Sequence, residues 1–398
     1  MVKKYLFLFV ALVILFGCIN QESNNQSTID LNSNENQVEN LTLILDKEQF
    51  SIYELNKTEQ ISQFVKEACQ LEGNYNGYAY FHDLNKNNGN EVVYEGFYFT
   101  STHLFKYDPK QDIAELVFEV EENARILHAC IINDDLIYYS KVKYKPLEDN
   151  PDFLIPYVQI IKWENGQEFI LDEYDTVNST DGAEILAINN KVYYSKAAID
   201  YKNDAYEYAI IEIGCKEPIW YYTTPTSNMN EDAFYLSLNH ASYSDEYIAF
   251  TYSSQKESHI IYSNGNEINN IKIDGRIDLI AVVEDKIIFD GTVQGVLNCA
   301  NETITELDHH PHLARVCTGD NGVFVGSSNF ESYITIQRLI DNHLQVQLIY
   351  ELGSNTTYTY EHIADNEFLI HFNEFHEDDN GVPYRKHKLY LLKVKDIE

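Results

Sequence analysis

Asn133-Asp134-Asp135-Leu136-Ile137-Tyr138-Tyr139-Ser140 is the stretch that decides the fold. A pair of turn formers feeds a short strand of β-branched and aromatic residues. The same element returns along the chain. Asn189-Asn190 precedes Lys191-Val-Tyr-Tyr-Ser195, and Ser244-Asp245 precedes Glu246-Tyr-Ile-Ala-Phe-Thr251. Glu284-Asp285 precedes Lys286-Ile-Ile-Phe-Asp290, and Asp320-Asn321 precedes Gly322-Val-Phe-Val-Gly326. Asp365-Asn366 precedes Glu367-Phe-Leu-Ile-His371, and Gly96-Phe-Tyr-Phe-Thr100 is a weaker copy. The strands begin at 96, 135, 191, 246, 286, 322 and 367, so the unit recurs about every 45 residues.

Each unit holds more than this one strand. A short strand precedes it, as in Arg125 to Ile132 or Asp278 to Val283. Two more follow, joined by a tight polar turn: Val158 to Trp163, Glu164-Asn165-Gly166, then Gln167 to Leu171. Ile260 to Tyr262, Asn264-Gly265 and Glu267-Ile268 repeat the pattern. Asn-Gly suits such hairpins because both positions tolerate positive φ. The unit is therefore four antiparallel strands, A to D. Several such units at this period predict an all-β fold, a single β-propeller over residues 41–398. Seven blades are counted; six or eight fit the same spacing. The last unit has strands A (Glu361 to Ala364), B (Glu367 to Phe372) and C (Lys388 to Val394) and then stops. Leu41-Thr-Leu-Ile-Leu-Asp46 has no blade of its own and is expected to supply the missing D strand, which removes two sheet edges. One helix is expected, from Thr58 to Leu71, with Ile61, Phe64, Val65, Ala68 and Cys69 on one face.

In such a unit the A–B and C–D turns share one face, and the B–C and D–A connections share the other. The long connections fall on the second face. They are Lys141 to Phe153, Lys196 to Asn203 and Asn373 to Lys386 between B and C, and Asp175 to Gly182 and Thr223 to Asp232 between D and A. Insertions in repeats tend to mark the binding face, although neutral drift lengthens loops too. Glu148, Asp149, Asn150, Asp200, Tyr201, Glu374, His376 and Asp378 lie on these B–C connections. His309, His310 and His312 lie at a D–A junction of the same face.

The chain has 398 residues, 44% of them hydrophobic, which is enough for a packed core. Lys and Arg number 28 against 63 Asp and Glu, a formal net charge of −35. That excess repels phosphate backbones and argues against nucleic acid as a partner. Beyond Cys18 the cysteines are Cys69, Cys130, Cys215, Cys299 and Cys317, with no C-x-x-C pair and no zinc spacing. They read as mostly free, with Cys299 and Cys317 the closest pair in sequence.

Residues 1–17 read as an address. Lys3 and Lys4 precede an apolar run from Tyr5 to Gly17, too short to span a bilayer and of signal-peptide length. Leu15-Phe16-Gly17-Cys18 resembles the lipobox of prokaryotic lipoproteins, with Phe16 departing from the usual smaller residue. The resemblance implies that Cys18 becomes the lipidated mature N-terminus and attaches the chain to a membrane. It places the protein on the outer side of the cytoplasmic membrane, or on an outer membrane where the host has one. Residues 18–40, rich in Asn, Gln and Ser, read as a polar tether that cannot fold alone. The repeat pattern resembles WD-repeat-like or bacterial-type β-propellers. There is no Trp-Asp dipeptide, no kelch Gly-Gly pair and no sialidase box, so the resemblance carries an architecture and no particular activity.

Three groups of residues have chemistry to weigh. Asp83-Leu-Asn85-Lys-Asn87-Asn88-Gly89-Asn-Glu91 resembles the loops that wrap calcium in alternate oxygens, with its Gly one residue late. Asp83, Asn85, Asn87 and Glu91 are the candidate Ca²⁺ ligands, and a plain polar hairpin has the same composition. Asp308-His309-His310-Pro311-His312 offers imidazoles for a transition metal, but adjacent residues of an extended segment point opposite ways. His371, Glu374, His376 and Glu377 lack the H-E-x-x-H spacing of a metallohydrolase. No nucleophile elbow, P-loop or dinucleotide fingerprint occurs. The expectation is a non-enzymatic propeller that binds a protein, peptide or glycan. The rival is a hydrolase or lyase of extracellular polysaccharide, marked by acidic or His side chains converging at the ring centre. A structural role in the envelope is a third reading.

Overall fold

The computed structural model describes residues 50–54 and 69–394, apart from 84–101, 112, 122–123, 148–149, 177–182, 227–236, 255, 308–313, 319–322, 328–332, 341–342, 352–355, 365 and 378–382. These residues form seven four-stranded antiparallel sheets. Blade one is β2 (Cys69–Tyr75), β3 (Tyr78–Asp83), β4 (His103–Asp108) and β5 (Ile113–Glu119). Blade two is β6 (Ala124–Asn133), β7 (Leu136–Leu147), β8 (Asn150–Glu164) and β9 (Gln167–Asp175). Blade three is β10 (Ile185–Ile188), β11 (Lys191–Asp200), β12 (Ala205–Glu212) and β13 (Trp220–Pro225). Blade four is β14 (Ser237–Tyr243), β15 (Ile248–Ser253), β16 (Glu257–Ser263) and β17 (Ile268–Asp274). Blade five is β18 (Ile277–Val283), β19 (Lys286–Gly291), β20 (Gly295–Asn298) and β21 (Thr303–Thr305). Blade six is β22 (Ala314–Thr318), β23 (Val323–Ser327), β24 (Tyr333–Ile340) and β25 (His343–Glu351). Blade seven is β26 (Thr356–Ala364), β27 (Glu367–Glu377) and β28 (Pro383–Val394), completed by β1 (Phe50–Glu54).

The A strands form the inner ring. Each touches the next, from β2 through β6, β10, β14, β18 and β22 to β26, and β26 touches β2. The ring is closed by sequence-distant pairing: Phe50 to Glu54 run antiparallel to Val394 to Tyr390. The N-terminal strand does complete the last blade, but it begins at Phe50. Leu41 to Asp46, expected in that place, lies outside the described residues.

Blades pack face to face through apolar side chains that alternate along each strand. Tyr80, Leu104 and Phe118 of blade one meet Ile126, Ala129 and Tyr139 of blade two. Val142, Val158 and Tyr174 of blade two meet Ile185, Val192 and Tyr194 of blade three. Tyr208 and Ile210 of blade three meet Phe250 and Tyr252 of blade four. Ile260 and Tyr262 of blade four meet Ile280, Ile287 and Phe289 of blade five. Leu71, Phe81 and Tyr107 of blade one meet Ile363 and Leu369 of blade seven. The abundant tyrosines serve here because the ring is buried while the hydroxyl reaches a polar rim. Tyr80 donates to Asp134 at 2.7 Å, and Tyr252 donates to the Ala209 carbonyl at 3.0 Å.

Turn chemistry follows the sequence. Asn165 and Gly166 both take positive φ, 51° and 81°, between β8 and β9. Asn189 and Asn190 do the same between β10 and β11, at 50° and 65°. Within the C–D set, blade three departs from a tight turn: residues 213–219 separate β12 from β13.

Three expectations are corrected. Cys69 to Leu71, placed at the end of a helix, begin strand β2; 58–68 lie outside the described residues. The B strand of blade one is β3; the weak copy at Gly96 lies outside the described residues. The long B–C connections are largely strand. β7 and β8 pair from Leu136↔Glu164 to Leu147↔Asn150, across what was read as loop from Lys141 to Phe153. β11 and β12 pair out to Asp200↔Ala205, and β27 and β28 out to Glu377↔Pro383. Thr223 to Pro225, read as connector, finish β13. The cause is composition: Lys141-Val-Lys-Tyr alternates polar and apolar residues and Phe153-Leu-Ile is a run of strand formers, so both continue a ladder rather than break it.

Candidate functional site

The registers show how far the B–C hairpins outrun their blades. In blade two the A strand last pairs at Ala124↔Lys143, and the D strand at Tyr157↔Asp175. Tyr144↔Pro156 through Leu147↔Asn150 thus form a two-stranded ribbon beyond the sheet. In blade three B and C continue to Asp200↔Ala205, past the last A-strand pair Ile185↔Tyr194, but the D strand goes with them to Ala205↔Pro225, so this extension is three-stranded. In blade seven β26 reaches Glu374 and β1 reaches Tyr390, and B and C continue to Glu377↔Pro383. Blades seven and two flank blade one in the ring, and blade three follows blade two.

The sequence-predicted site residues fall on this face in part. Asn150 opens β8, Asp200 closes β11, and Glu374 and His376 lie on β27 opposite Lys386 and Tyr384. Tyr201 is exposed at the hairpin tip. Asp200 accepts the Lys202 and Asn203 amides at 2.9 and 3.0 Å, which close the turn and hold its carboxyl below the usual range, the Asn203 amide first. Glu148, Asp149, His309, His310, His312 and Asp378 lie outside the described residues, as do Cys18, Asn85, Asn87 and Glu91. Asp83 ends β3. Among the described residues no group of three or more His, Cys, Asp or Glu is arranged to hold a metal ion. Cys130, Cys215 and Cys299 are free thiols, so Cys299 does not pair with Cys317.

A second group was not singled out in the sequence: polar side chains on the A strands around the ring axis. Glu72 of β2 is held where its Oε2 accepts the Ala129 amide of β6 at 3.0 Å. Its buried Oε1 is paired with His82 Nε2 at 2.9 Å. His128 of β6 sits between two carboxylates, its Nδ1 3.3 Å from Glu184 Oε2 and 3.9 Å from Glu72 Oε2. Glu184 immediately precedes β10. Glu361 of β26 accepts Asn74 Nδ2 at 3.1 Å and the Tyr243 hydroxyl of β14 at 3.3 Å. Blades one, two, three, four and seven thus each supply part of the group.

Position along the strands orders it. A strands run from the D–A face to the A–B turns. Glu184 stands at the start of its strand, His128 and Glu72 midway, and Asn74, Glu361 and Tyr243 toward the A–B end. The electrostatics are those of crowded carboxyls. Burial raises Glu184, its His128 neighbour offsets this, and the Glu72 charge raises it again. Burial also pushes Glu361 up to about 7, against the Asn74 and Tyr243 hydrogen bonds, and Glu72 adds to the rise. The only sequence signal was a lone polar residue inside an apolar A strand, such as His128 in Arg125-Ile-Leu-His-Ala-Cys130.

Away from the ring axis, several carboxylates have lysine partners. Lys141 bridges Glu121 and Glu168 at 2.9 and 2.8 Å, Lys143 joins Glu121 at 2.7 Å, and Lys196 meets Asp172 at 3.0 Å. Burial works against the Glu121 charge, but Lys143, its own backbone and Lys141 hold it at about 2.

No protein-family model and no curated protein matches the sequence. Solved structures with a similar chain path include one from the mitotic checkpoint complex, at 5% identity and TM-score 0.47, covering 87% of this chain and 91% of that one. The β-propeller domain of the Trilobed protease from Pyrococcus furiosus is similar at 8% identity and TM-score 0.41, covering 81% and 94%. The polysaccharide lyase Uly1 is similar at 8% identity and TM-score 0.44, covering 83% and 90%.

Proposed function

We propose that this chain is a surface-tethered lipoprotein whose β-propeller binds an extracellular protein, peptide or glycan. Cys18 carries the lipid and residues 18–40 hold the propeller off the membrane. Multiple acyl chains at Cys18 make the anchor stable, since a single chain binds only marginally. The observation that supports binding is the pair of B–C hairpins in blades seven and two, which outrun their sheets, beside the blade-three hairpin that outruns its A strand on the same face. Paired strands present side chains at fixed spacing and lose less entropy on binding than free loops.

The test has two arms. Labelling with a fatty-acid analogue in the host is expected to mark the wild type and not Cys18→Ala. The detergent-solubilised full chain, probed on glycan and peptide arrays, is expected to give a hit that is lost when 145–152 is replaced by a two-residue turn. Hits unchanged by that deletion would remove the hairpin face from the reading.

A second reading is favoured by a different observation. Carboxyls and imidazoles converge at the ring axis, and Glu361 is held near neutrality, as a general acid requires. Under this reading the propeller cleaves extracellular polysaccharide. An array ligand that shortens on incubation with wild type, and not with Glu361→Gln, would decide for it.

A further inference from the structure

We infer that the outer edge of blade two, β9 from Gln167 to Leu171, is a docking site for an extended, basic peptide segment of a partner protein, apolar at its centre, which adds to the blade as a fifth strand. The site lies on the D-strand wall and not on the B–C hairpins, so it stands or falls apart from the reading above.

The first ground is an open edge. β9 is the last strand of its sheet, and among the described residues it pairs with β8 alone. The N–H and C=O groups along its other side are a template for a further strand. Its ladder is regular from Glu164↔Gln167 to Ile161↔Ile170 and slips by one residue at Leu171. A bulge turns the strand there and sets the far limit of the site.

The second ground is what the edge exposes. Phe169, Ile170 and Leu171 are 45%, 60% and 41% exposed, and Gln167 and Glu168 before them are exposed too. Sheet edges are ordinarily guarded by polar and charged side chains. The equivalent strand of blade four follows that rule: β17 exposes Asn270, Lys272 and Asp274 and keeps its isoleucines half-buried. Blade five ends in a strand of three residues, Thr303 to Thr305, with a single exposed isoleucine. On β9, Phe169 and Ile170 are neighbours and point to opposite faces of the strand. A flat partner covers one of them. An added strand covers both with its own side chains while it pairs the backbone.

The third ground is charge, and it chooses the occupant. Acids bracket the apolar triplet, Glu168 before it and Asp172 and Glu173 after it. Glu168 shares Lys141 with Glu121, and Asp172 holds Lys196. Glu173 is exposed, and its carboxylate accepts the neutral Gln159 amide at 2.7 Å, so its charge is open to a partner. A second copy of β9, laid antiparallel with triplet on triplet, would set Glu168 opposite Asp172 and bring together two chains of net charge −35. A strand carrying Lys or Arg beside an apolar centre meets Glu173 instead, and the field of the whole chain draws it in.

Fluorescence anisotropy of a labelled peptide, Lys-Lys-Val-Ile-Val-Lys-Lys, against the full chain in zwitterionic lipid nanodiscs tests this, with empty discs as the blank. The expected result is saturable binding in 150 mM NaCl, where charges more than about 8 Å apart are largely screened. Ile170→Asp should weaken it tenfold or more. That variant adds negative charge, so attraction to bulk acidity alone would tighten the binding instead. Ile304→Asp, on the edge strand of blade five, should leave it unchanged. The same peptide N-methylated at alternate residues should not bind, because it cannot form the ladder; this arm leaves the protein untouched. Absence of binding overturns the inference. Equal binding by Ile170→Asp, by the methylated peptide or by Glu-Glu-Val-Ile-Val-Glu-Glu overturns it too. Sedimentation that finds wild type dimeric and Ile170→Asp monomeric gives the edge to a second copy and overturns the peptide assignment. Replacement of 145–152 by a two-residue turn should leave peptide binding as it is. Loss of binding there would move the site to the hairpin face and refute this one.

Discussion

Blades four and five and the arc formed by blades seven, one, two and three are built from the same repeat and differ in what they add to it. In blade four, β15 and β16 pair from Ile248↔Ser263 to Ser253↔Ser258 and stop where their neighbours stop. The A strand of blade five is apolar where it is most buried, with Ile280, Ala281 and Val282. In the other arc, the B–C hairpins of blades two and seven outrun their sheets, that of blade three outruns its A strand, and β2, β6 and β26 place Glu72, His128 and Glu361 toward the axis. Blade-to-blade packing is apolar in both arcs. A repeat therefore keeps its ring by conserving the faces between blades, and it is free to specialise at the inner edge and at the B–C tips.

The largest expected effect tests the compact arc. Phe289 is 2% exposed and packs between blades four and five with Ile260, Tyr262 and Leu297. Phe289→Ala should cost about 3–5 kcal/mol, from lost burial plus the cavity left behind. Urea denaturation reads it directly. A cost below about 1 kcal/mol would mean that the interface relaxes to fill the space, contrary to the packing density of a native core.

The next effect is on the polar arc and depends on pH. Glu361 is almost fully buried, and its carboxyl is raised to about 7 from an ordinary value near 4.5. The native state therefore holds a proton that the unfolded chain releases between these values. Stability from this group is complete below pH 4.5 and is lost as pH rises to about 7, a loss of about 3 kcal/mol. Glu184 moves in the same direction. Glu361→Gln keeps an acceptor for Asn74 and Tyr243 and removes the titration. Its urea midpoint should fall less than that of wild type between pH 5 and pH 8. Parallel curves would show that water reaches this carboxyl as it does in the unfolded chain.

The two arcs were unequally legible in the sequence. The blade frame was readable because turn pairs and β-branched strands recur: Lys191, Lys286 and Glu367 open β11, β19 and β27 as expected. The closing strand was right in kind and late in place, since Phe50 to Glu54 carries one strong apolar alternation in a short span that resembles a linker. The hairpin ribbons were read as loops because Pro146 and Pro151 suggested breaks. Pro146 pairs with Leu154 at the tip, where blade two adds no third strand to need its missing donor. The axial group was illegible for a different reason. Glu72, His128 and Glu361 are single polar residues on separate strands, and only ring closure brings them to one axis. Among 63 acidic residues and 13 histidines, nothing local marks these three.

The smallest effect compares the same turn in each arc. Ser254 closes the B–C turn of blade four: its Oγ accepts the Glu257 amide at 3.1 Å and donates to the Glu257 carbonyl at 3.1 Å. It is buried, so Ser254→Ala strands backbone groups away from water and should cost about 1 kcal/mol of global stability. Asp200 closes the corresponding turn of blade three with two amide hydrogen bonds, but at an exposed tip beyond the A strand. Water replaces those bonds in Asp200→Ala. Hydrogen exchange should quicken at Lys202 and Asn203 while the urea midpoint stays where it was. A global loss from Asp200→Ala equal to that from Ser254→Ala would mean that the ribbon is coupled to the ring, and that the extended arc is as much scaffold as the compact one.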